Sequence, residues 1–173
     1  MKGKEVLYTA GYISHNLTLV AAMSRERVEY LQLFYEGGTT TEYFAEYLTN
    51  LIDTVTGRYP EKKILFVLDN LSSHKTSEIH KVMQHDSVEM LFLPASSPEF
   101  SAIESLFGRV KVELRDLRYR TKEQLAQAII SIAFGMPKRR IEGFFRRTFN
   151  DMKEYYDEED WESFLNSFDD ALP

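Results

Sequence analysis

The chain has 173 residues, no cysteine and a formal net charge of −6. A chain of this length buries enough surface to fold as one domain, and we expect a single domain over residues 1–173. The absence of cysteine excludes disulfides and thiolate metal sites. No apolar run approaches the ~20 residues of a membrane span, and the first residues lack a signal-peptide core. A cytoplasmic or nuclear location is therefore expected, not secretion.

The charges are segregated along the chain. Residues 1–106 carry a net charge of −5, residues 107–149 a net charge of +7, and residues 150–173 a net charge of −8. The local field of a basic segment attracts a polyanion even when the whole chain is acidic. The last segment is predicted to be an acidic helical tail.

The first third of the chain predicts strands. Val6–Ile13, Leu17–Met23 and Val28–Tyr35 are rich in β-branched and aromatic residues, and short polar turns separate them. This pattern indicates an antiparallel meander. A helix is then predicted from the N-capping residues Thr39–Thr41 to about Gly57.

A β-α-β unit follows in the middle of the chain. The apolar run Ile64–Leu68 predicts a strand, residues 76–85 a helix, and Val88–Leu93 a second strand, which together imply parallel pairing. Further helices are predicted at residues 102–116, from Thr121, at 138–156 and at 158–168. This order predicts an α/β fold, with a mixed sheet flanked by helices and a helical C-terminal third.

Two acidic residues stand in unusual settings. Asp69 directly follows the apolar strand, and Glu104 lies in the first turn of the helix after a Ser/Pro-rich loop. Open α/β sheets place their sites at the carboxyl ends of strands, and Mg²⁺ is held mainly by carboxylate oxygens and water. One interpretation is a metal site. The alternative is that Asp69 caps a turn and Glu104 is favoured by its helix N-terminus.

The block from Ile64 to Lys111 resembles the mariner superfamily of Asp-Asp-Glu transposases. In that family an apolar strand ends in Asp-Asn, with a His shortly after, and a second strand leads through Leu-Pro and Ser-Pro to Ile-Glu. The matching residues are Asp69, Asn70, His74, Leu93, Pro94, Ser97, Pro98, Ile103, Glu104, Phe107 and Lys111. The preceding segment, residues 17–48, is similar to the second and third strands and the first helix of the family.

The resemblance implies a ribonuclease-H-like fold, DNA as the partner, Mg²⁺ or Mn²⁺ as the cofactor, and metal-dependent strand cleavage and transfer. It assigns Asp69 and Glu104 as catalytic and metal-binding residues. Asn70 supports a metal ligand or forms a turn. His74 contacts the site or a scissile phosphate, or is simply a solvated His near a helix start.

One departure from the family pattern is large. The family's first catalytic Asp ends the central strand, but no Asp precedes Asp53 in this chain, and Asp53 falls in the first predicted helix. We therefore expect a catalytic domain that lacks the first acidic strand, with Val6–Ile13 pairing in the central position. Activity is then expected to be impaired. The alternative is an inactive, domesticated module that binds nucleic acid or protein. A smaller departure puts Ser101-Ala102 where the family has Asn-Pro, and Ser101 is still expected to cap the helix.

Basic residues follow Glu104. Arg109, Lys111 and Arg115 are predicted to contact the DNA backbone, and a second basic set lies between residues 138 and 147. The alternative is a solvated charged face. The acidic segment also carries an apolar stripe at helical spacing, which predicts that it docks on the protein and covers a basic face. A homodimer is a further expectation.

Overall fold

The computed structural model describes residues 17–35, 40–69, 76–94 and 97–155. The strand predicted at residues 6–13 and the helix predicted at 158–168 lie outside these ranges. The described elements are β1 (Thr18–Met23), β2 (Val28–Phe34), α1 (Thr41–Arg58), β3 (Ile64–Leu68), α2 (Ser77–Val82), β4 (Val88–Phe92), α3 (Ala102–Arg115), α4 (Lys122–Phe134) and α5 (Lys138–Tyr155). Within the described part of the chain, no helix is long and apolar enough to cross a membrane.

β1 and β2 form an antiparallel hairpin, as predicted. Ser24 closes its turn, because the Ser24 Oγ accepts hydrogen bonds from the backbone N–H groups of Glu26 at 3.1 Å and Arg27 at 3.3 Å. A register shift lies between Ala22 and Met23. The ordered turn projects the side chain of Arg25 outward, where it is exposed.

β3 and β4 pair in parallel through α2, which confirms the predicted β-α-β unit. α2 ends at Val82 instead of the predicted His85. The reason is local: the His85 carbonyl accepts from the Val88 N–H at 3.0 Å, and its Nδ1 accepts from the Ser87 N–H at 3.2 Å. These bonds form the turn that starts β4, so His85 cannot continue the helix.

The two strand pairs form separate two-stranded sheets that pack on helices. One core joins α1 and α2 to alternate residues of the four strands, with Leu48 of α1 and Ile79 of α2 fully buried. A second core joins the opposite face of the hairpin to α3, α4 and α5, around the buried residues Leu106 and Ile141. Alternating residues of the hairpin thus face two helical layers, as period-2 side-chain geometry requires. The predicted α/β fold with a helical C-terminal third is confirmed.

A short 3₁₀ turn, Pro98–Phe100, lies within the stretch that the sequence predicts as a loop. Phe100 is 3% exposed and packs with Leu93 and Met152 in a small third core. The end of α5 also reaches this turn, since the rings of Phe100 and Tyr155 lie 5.3 Å apart in an edge-on contact. The connection between β4 and α3 is therefore anchored by α5.

Candidate active site

Asp69 lies at the carboxyl end of the parallel strand pair. The Leu93 N–H donates to the Leu68 carbonyl at 2.8 Å, so pairing continues to the residue before Asp69. Leu68 packs toward α1, whereas Val67 lies on the other face and is 44% exposed. Strand alternation puts Asp69 on the face of Val67, opposite the face that packs against α1. The Asp69 side chain is exposed.

Glu104 lies in the first turn of α3 and is exposed. Ser101 holds the N-cap position, but its hydroxyl makes no capping hydrogen bond. The Ser101 carbonyl instead accepts from the Glu104 N–H at 3.1 Å. The expected side-chain cap is therefore wrong. The backbone φ of −109° and ψ of 101° place Ser101 in the extended region, and its carbonyl alone begins the helix.

The third core links the two acidic positions. Leu93, which is paired to the residue before Asp69, packs against Phe100, and Phe100 precedes Glu104 by four residues. Both Leu93 and Phe100 are nearly fully buried, at 4% and 3% exposure. The carboxyl end of β3 and the N-terminus of α3 are thus held at the same end of the molecule.

The donor chemistry of these two carboxylates fits a hard divalent cation. Mg²⁺ is commonly bound through one or two carboxylates while it retains several waters, and exposed carboxylates leave room for those waters. Across residues 17–35, 40–69, 76–94 and 97–155, no group of three or more His, Cys, Asp or Glu side chains is placed to hold a metal. Asn70 and His74 fall outside the described residues.

The basic residues of α3 divide between two flanks of the helix. At about 100° per residue, Lys111 and Arg115 each lie within about 20° of Glu104, whereas Arg109 lies about 140° away. The buried residues Leu106, Val110 and Leu114 occupy the face between these flanks. Lys111 and Arg115 are exposed. They therefore form one surface stripe with Glu104.

Arg109 is engaged within its own helix. Its Nε donates to the Glu113 carboxylate at 2.7 Å, in a pair one helical turn apart. A phosphate that approached Arg109 would meet the Glu113 charge as well. Of the three predicted DNA contacts, Lys111 and Arg115 thus share the surface of Glu104, and Arg109 lies elsewhere.

Among the described residues, Glu29 is a buried carboxylate that the sequence pattern does not mark. Glu29 on β2 is 6% exposed, forms an ion pair with Arg58, and accepts from the Tyr59 hydroxyl at 2.9 Å. Burial, and then this hydrogen bond, raise the pKa of Tyr59. The sequence places Glu29 only beside a turn, because its partners lie 29 and 30 residues away. Its role is to fix the end of α1 on the hairpin.

A family model for the DDE superfamily endonuclease matches residues 1–126. The chain belongs to this superfamily. No curated protein sequence matches the chain. The predicted relationship to Asp-Asp-Glu transposases is thereby confirmed, and the β3 and α3 elements that carry Asp69 and Glu104 both lie inside the matched region.

Solved structures of a mariner transposase share the fold. The Mos1 paired-end complex with left transposon end aligns with a TM-score of 0.69 at 20% identity, over 90% of this chain and 44% of that one. The catalytic domain of Mos1 mariner transposase aligns with a TM-score of 0.65 at 19% identity, over 76% of this chain and 67% of that one. A Mos1 catalytic domain with raltegravir and Mg aligns with a TM-score of 0.67 at 20% identity, over 91% of this chain and 76% of that one.

These alignments confirm the ribonuclease-H-like architecture. The chain spans less than half the length of the transposase chain in the complex with the transposon end. Other Mos1 structures contain Mn, so the relatives carry divalent ions as well as DNA. The roles of Asp69, Glu104 and the basic residues in this chain remain predictions.

Proposed function

We propose that this chain is a transposase-type catalytic fold that engages DNA, with Asp69 and Glu104 as its second and third acidic positions. The observation that supports the proposal is the packing that joins the carboxyl end of β3 to the turn before α3, through the Leu68–Leu93 pairing and the buried Phe100. That end is the carboxyl edge of a parallel strand pair, where α/β sheets hold their sites.

The residues of the site have distinct tasks. Asp69 and Glu104 offer oxygen ligands to a divalent ion, which when bound polarises a phosphodiester and neutralises developing charge. Lys111 and Arg115 lie about 10 and 16 Å along the helix from Glu104, on the same flank. From there they bind backbone phosphates and orient the strand across the two carboxylates.

We further propose that cleavage by this chain is weak. Paired-metal phosphoryl transfer uses two ions that clamp the attacking and leaving oxygens, and two carboxylates provide too few ligands for such a pair. Glu29, the buried acid of β2, does not replace the first Asp, because Arg58 and Tyr59 occupy its carboxylate. The strand predicted at residues 6–13 contains no acid.

The metal proposal is tested by titrating Mn²⁺ into the purified chain and following the free ion by electron paramagnetic resonance. We expect weak binding that Asp69→Asn or Glu104→Gln abolishes. The matched control is Glu99→Gln, which removes an exposed carboxylate five residues before Glu104. Mn²⁺ binding that survives both site substitutions would contradict the assignment.

Cleavage is tested separately with supercoiled plasmid in Mg²⁺ or Mn²⁺. We expect little nicking, at a level that Asp69→Asn barely changes. Robust nicking that Asp69→Asn removes would show a complete catalytic site and overturn the proposed impairment. We propose that activity is restored when a second copy of this chain, or another protein chain, supplies the missing first acid. The homodimer predicts a nicking rate per molecule of protein that rises with protein concentration.

A second candidate function is a nucleic-acid-binding module without catalysis. The observation in its favour is that Lys111 and Arg115 are exposed and need no metal to bind phosphate. DNA retention in the presence of a chelator, with no nicking under any metal condition, favours this function. Retention that requires the divalent ion favours the catalytic type.

A further inference from the structure

An open groove of about 470 Å³ lies between the β1–β2 turn and α5, and neither Asp69 nor Glu104 lines it. Its lining combines aromatic rings with two arginines, and consists of Arg25, Glu142, Phe145, Arg146, Phe149 and Asn150. Its size is that of a typical ligand site. Two cations and two rings outnumber the single carboxylate of Glu142 in this lining, so the groove suits an occupant that is both acidic and aromatic.

The walls of this groove are held in place. The Lys138 ammonium at the start of α5 donates to the Glu26 carboxylate of the β1–β2 turn at 3.1 Å. This hydrogen bond lowers the pKa of Glu26. Phe145 also packs against the core that joins α5 to the hairpin. The guanidinium groups of Arg25 and Arg146, in contrast, are exposed.

The chain itself contains a segment of matching chemistry, the acidic tail of residues 156–173. It carries seven acidic residues, no Lys or Arg, and an apolar set made of Trp161, Phe164, Leu165 and Phe168. Aromatic rings and carboxylates in this tail complement the phenylalanines and arginines of the groove. Arginine pairs well with carboxylates and stacks on aromatic faces.

The tail is also within reach of the groove. α5 ends at Tyr155, about 8 Å along the helix beyond Asn150, which lines the groove. Six residues lead from Tyr155 to Trp161, and an extended chain of that length spans up to about 20 Å. A tail that turns back along α5 therefore brings Trp161 to the groove without any movement of the helix.

We propose that the acidic tail of this chain docks intramolecularly in the groove between the β1–β2 turn and α5. Trp161 and Phe164 contact Phe145 and Phe149, and the carboxylates pair with Arg25 and Arg146. The docked tail neutralises cations that would otherwise attract a polyanion. This last consequence rests on the proposed DNA function, whereas the docking itself does not.

The test uses the fluorescence of Trp161, the single tryptophan of the chain. We expect a blue-shifted emission in the full chain that acrylamide quenches poorly. The double substitution Arg25→Glu and Arg146→Glu should shift the emission to longer wavelength and increase quenching. Because both arginines are exposed, helix content measured by circular dichroism should stay unchanged.

The matched control is Arg140→Glu with Arg147→Glu. These exposed residues share one flank of α5, about 100° around the helix from Arg146, and the double substitution changes the charge by the same amount. We expect it to leave the emission unchanged. An equal shift in both double variants, or none in either, overturns the proposal.

The emission of Trp161 in the unmodified chain at increasing salt concentration is a second measurement. It does not depend on whether a variant folds. Raising NaCl to 1 M shortens the screening length to about 3 Å and should move the emission toward that of a solvent-exposed tryptophan. An emission that depends on protein concentration would mean that a second copy supplies the tail, and would contradict intramolecular docking. The emission and quenching of Trp161 are measured without DNA, so they test the docking whether or not the chain binds DNA.

Discussion

The burial of Glu29 depends on partners that are distant in the sequence, Arg58 and Tyr59. Glu29 sits between Val28 and Tyr30 on β2 and is nearly fully buried, although its neighbours in sequence give no sign of this. Burial of a carboxylate is costly unless it is paired and hydrogen-bonded. Arg58 and the Tyr59 hydroxyl meet that condition at the end of α1.

Replacing Glu29 with Gln should lower the free energy of unfolding by about 1–3 kcal/mol, because the buried position 29 loses the charge that pairs with Arg58. Chemical denaturation at neutral pH measures the change. The control is Glu89→Gln, since Glu89 lies 3.9 Å from Lys63 and both side chains are about two-thirds exposed. An exposed pair of this kind contributes little. Equal losses for the two variants would contradict a specific role for Glu29.

The helix α3 shows what the sequence predicts at the scale of an element and what it leaves out. The sequence predicts a helix over residues 102–116, which matches the observed range to within one residue, and Leu106, Val110 and Leu114 are buried at helical spacing. The Ser101 hydroxyl makes no capping hydrogen bond, and the neighbouring sequence does not fix the orientation of that hydroxyl. The partner of Arg109 likewise follows from rotamer choice, not from spacing alone.

The two flanks of α3 should differ in DNA binding. Lys111→Ala with Arg115→Ala is expected to reduce DNA affinity at low salt several-fold, and to lower the slope of its salt dependence by roughly two, since each lost phosphate contact releases about one counterion fewer. The matched control, Arg109→Ala, removes a cation that Glu113 already offsets, and should have a smaller effect. Fluorescence anisotropy with a labelled duplex at several NaCl concentrations measures both. A larger loss for Arg109→Ala would contradict the assignment of the DNA face.

The element order of the whole molecule follows from periodicity, whereas the position of α3 relative to β3 depends on packing. The parallel β3–β4 pair was predictable because a helix separates two apolar runs. The buried Phe100, which ties the site to α5, stands alone in a Ser/Pro loop, so no periodic pattern marks it as core. Asp69 and Glu104 were recognisable by family resemblance, but only the third core shows what holds their elements together.

Charge segregation is also a property of the whole chain, because its basic and acidic segments carry opposite charges of similar size. Residues 107–149 carry a net charge of +7, and residues 156–173 at the end of the acidic tail carry −7. Deleting residues 156–173 should therefore strengthen DNA binding at low salt, because the tail no longer competes with phosphates for the cations of α3 and α5. Fluorescence anisotropy at 50 mM and 300 mM NaCl measures the difference, which should shrink as screening increases.

A full-length control separates the charge of the tail from its bulk. Changing its seven acidic residues to the corresponding amides keeps the length and the aromatic residues but removes the charge. If electrostatic competition is the cause, this variant should bind DNA as tightly as the deletion. If the amide variant instead binds like the unmodified chain while the deletion binds more tightly, the tail blocks DNA sterically. Equal affinity of all three chains at both salt concentrations would show that the tail does not control access to the basic surface.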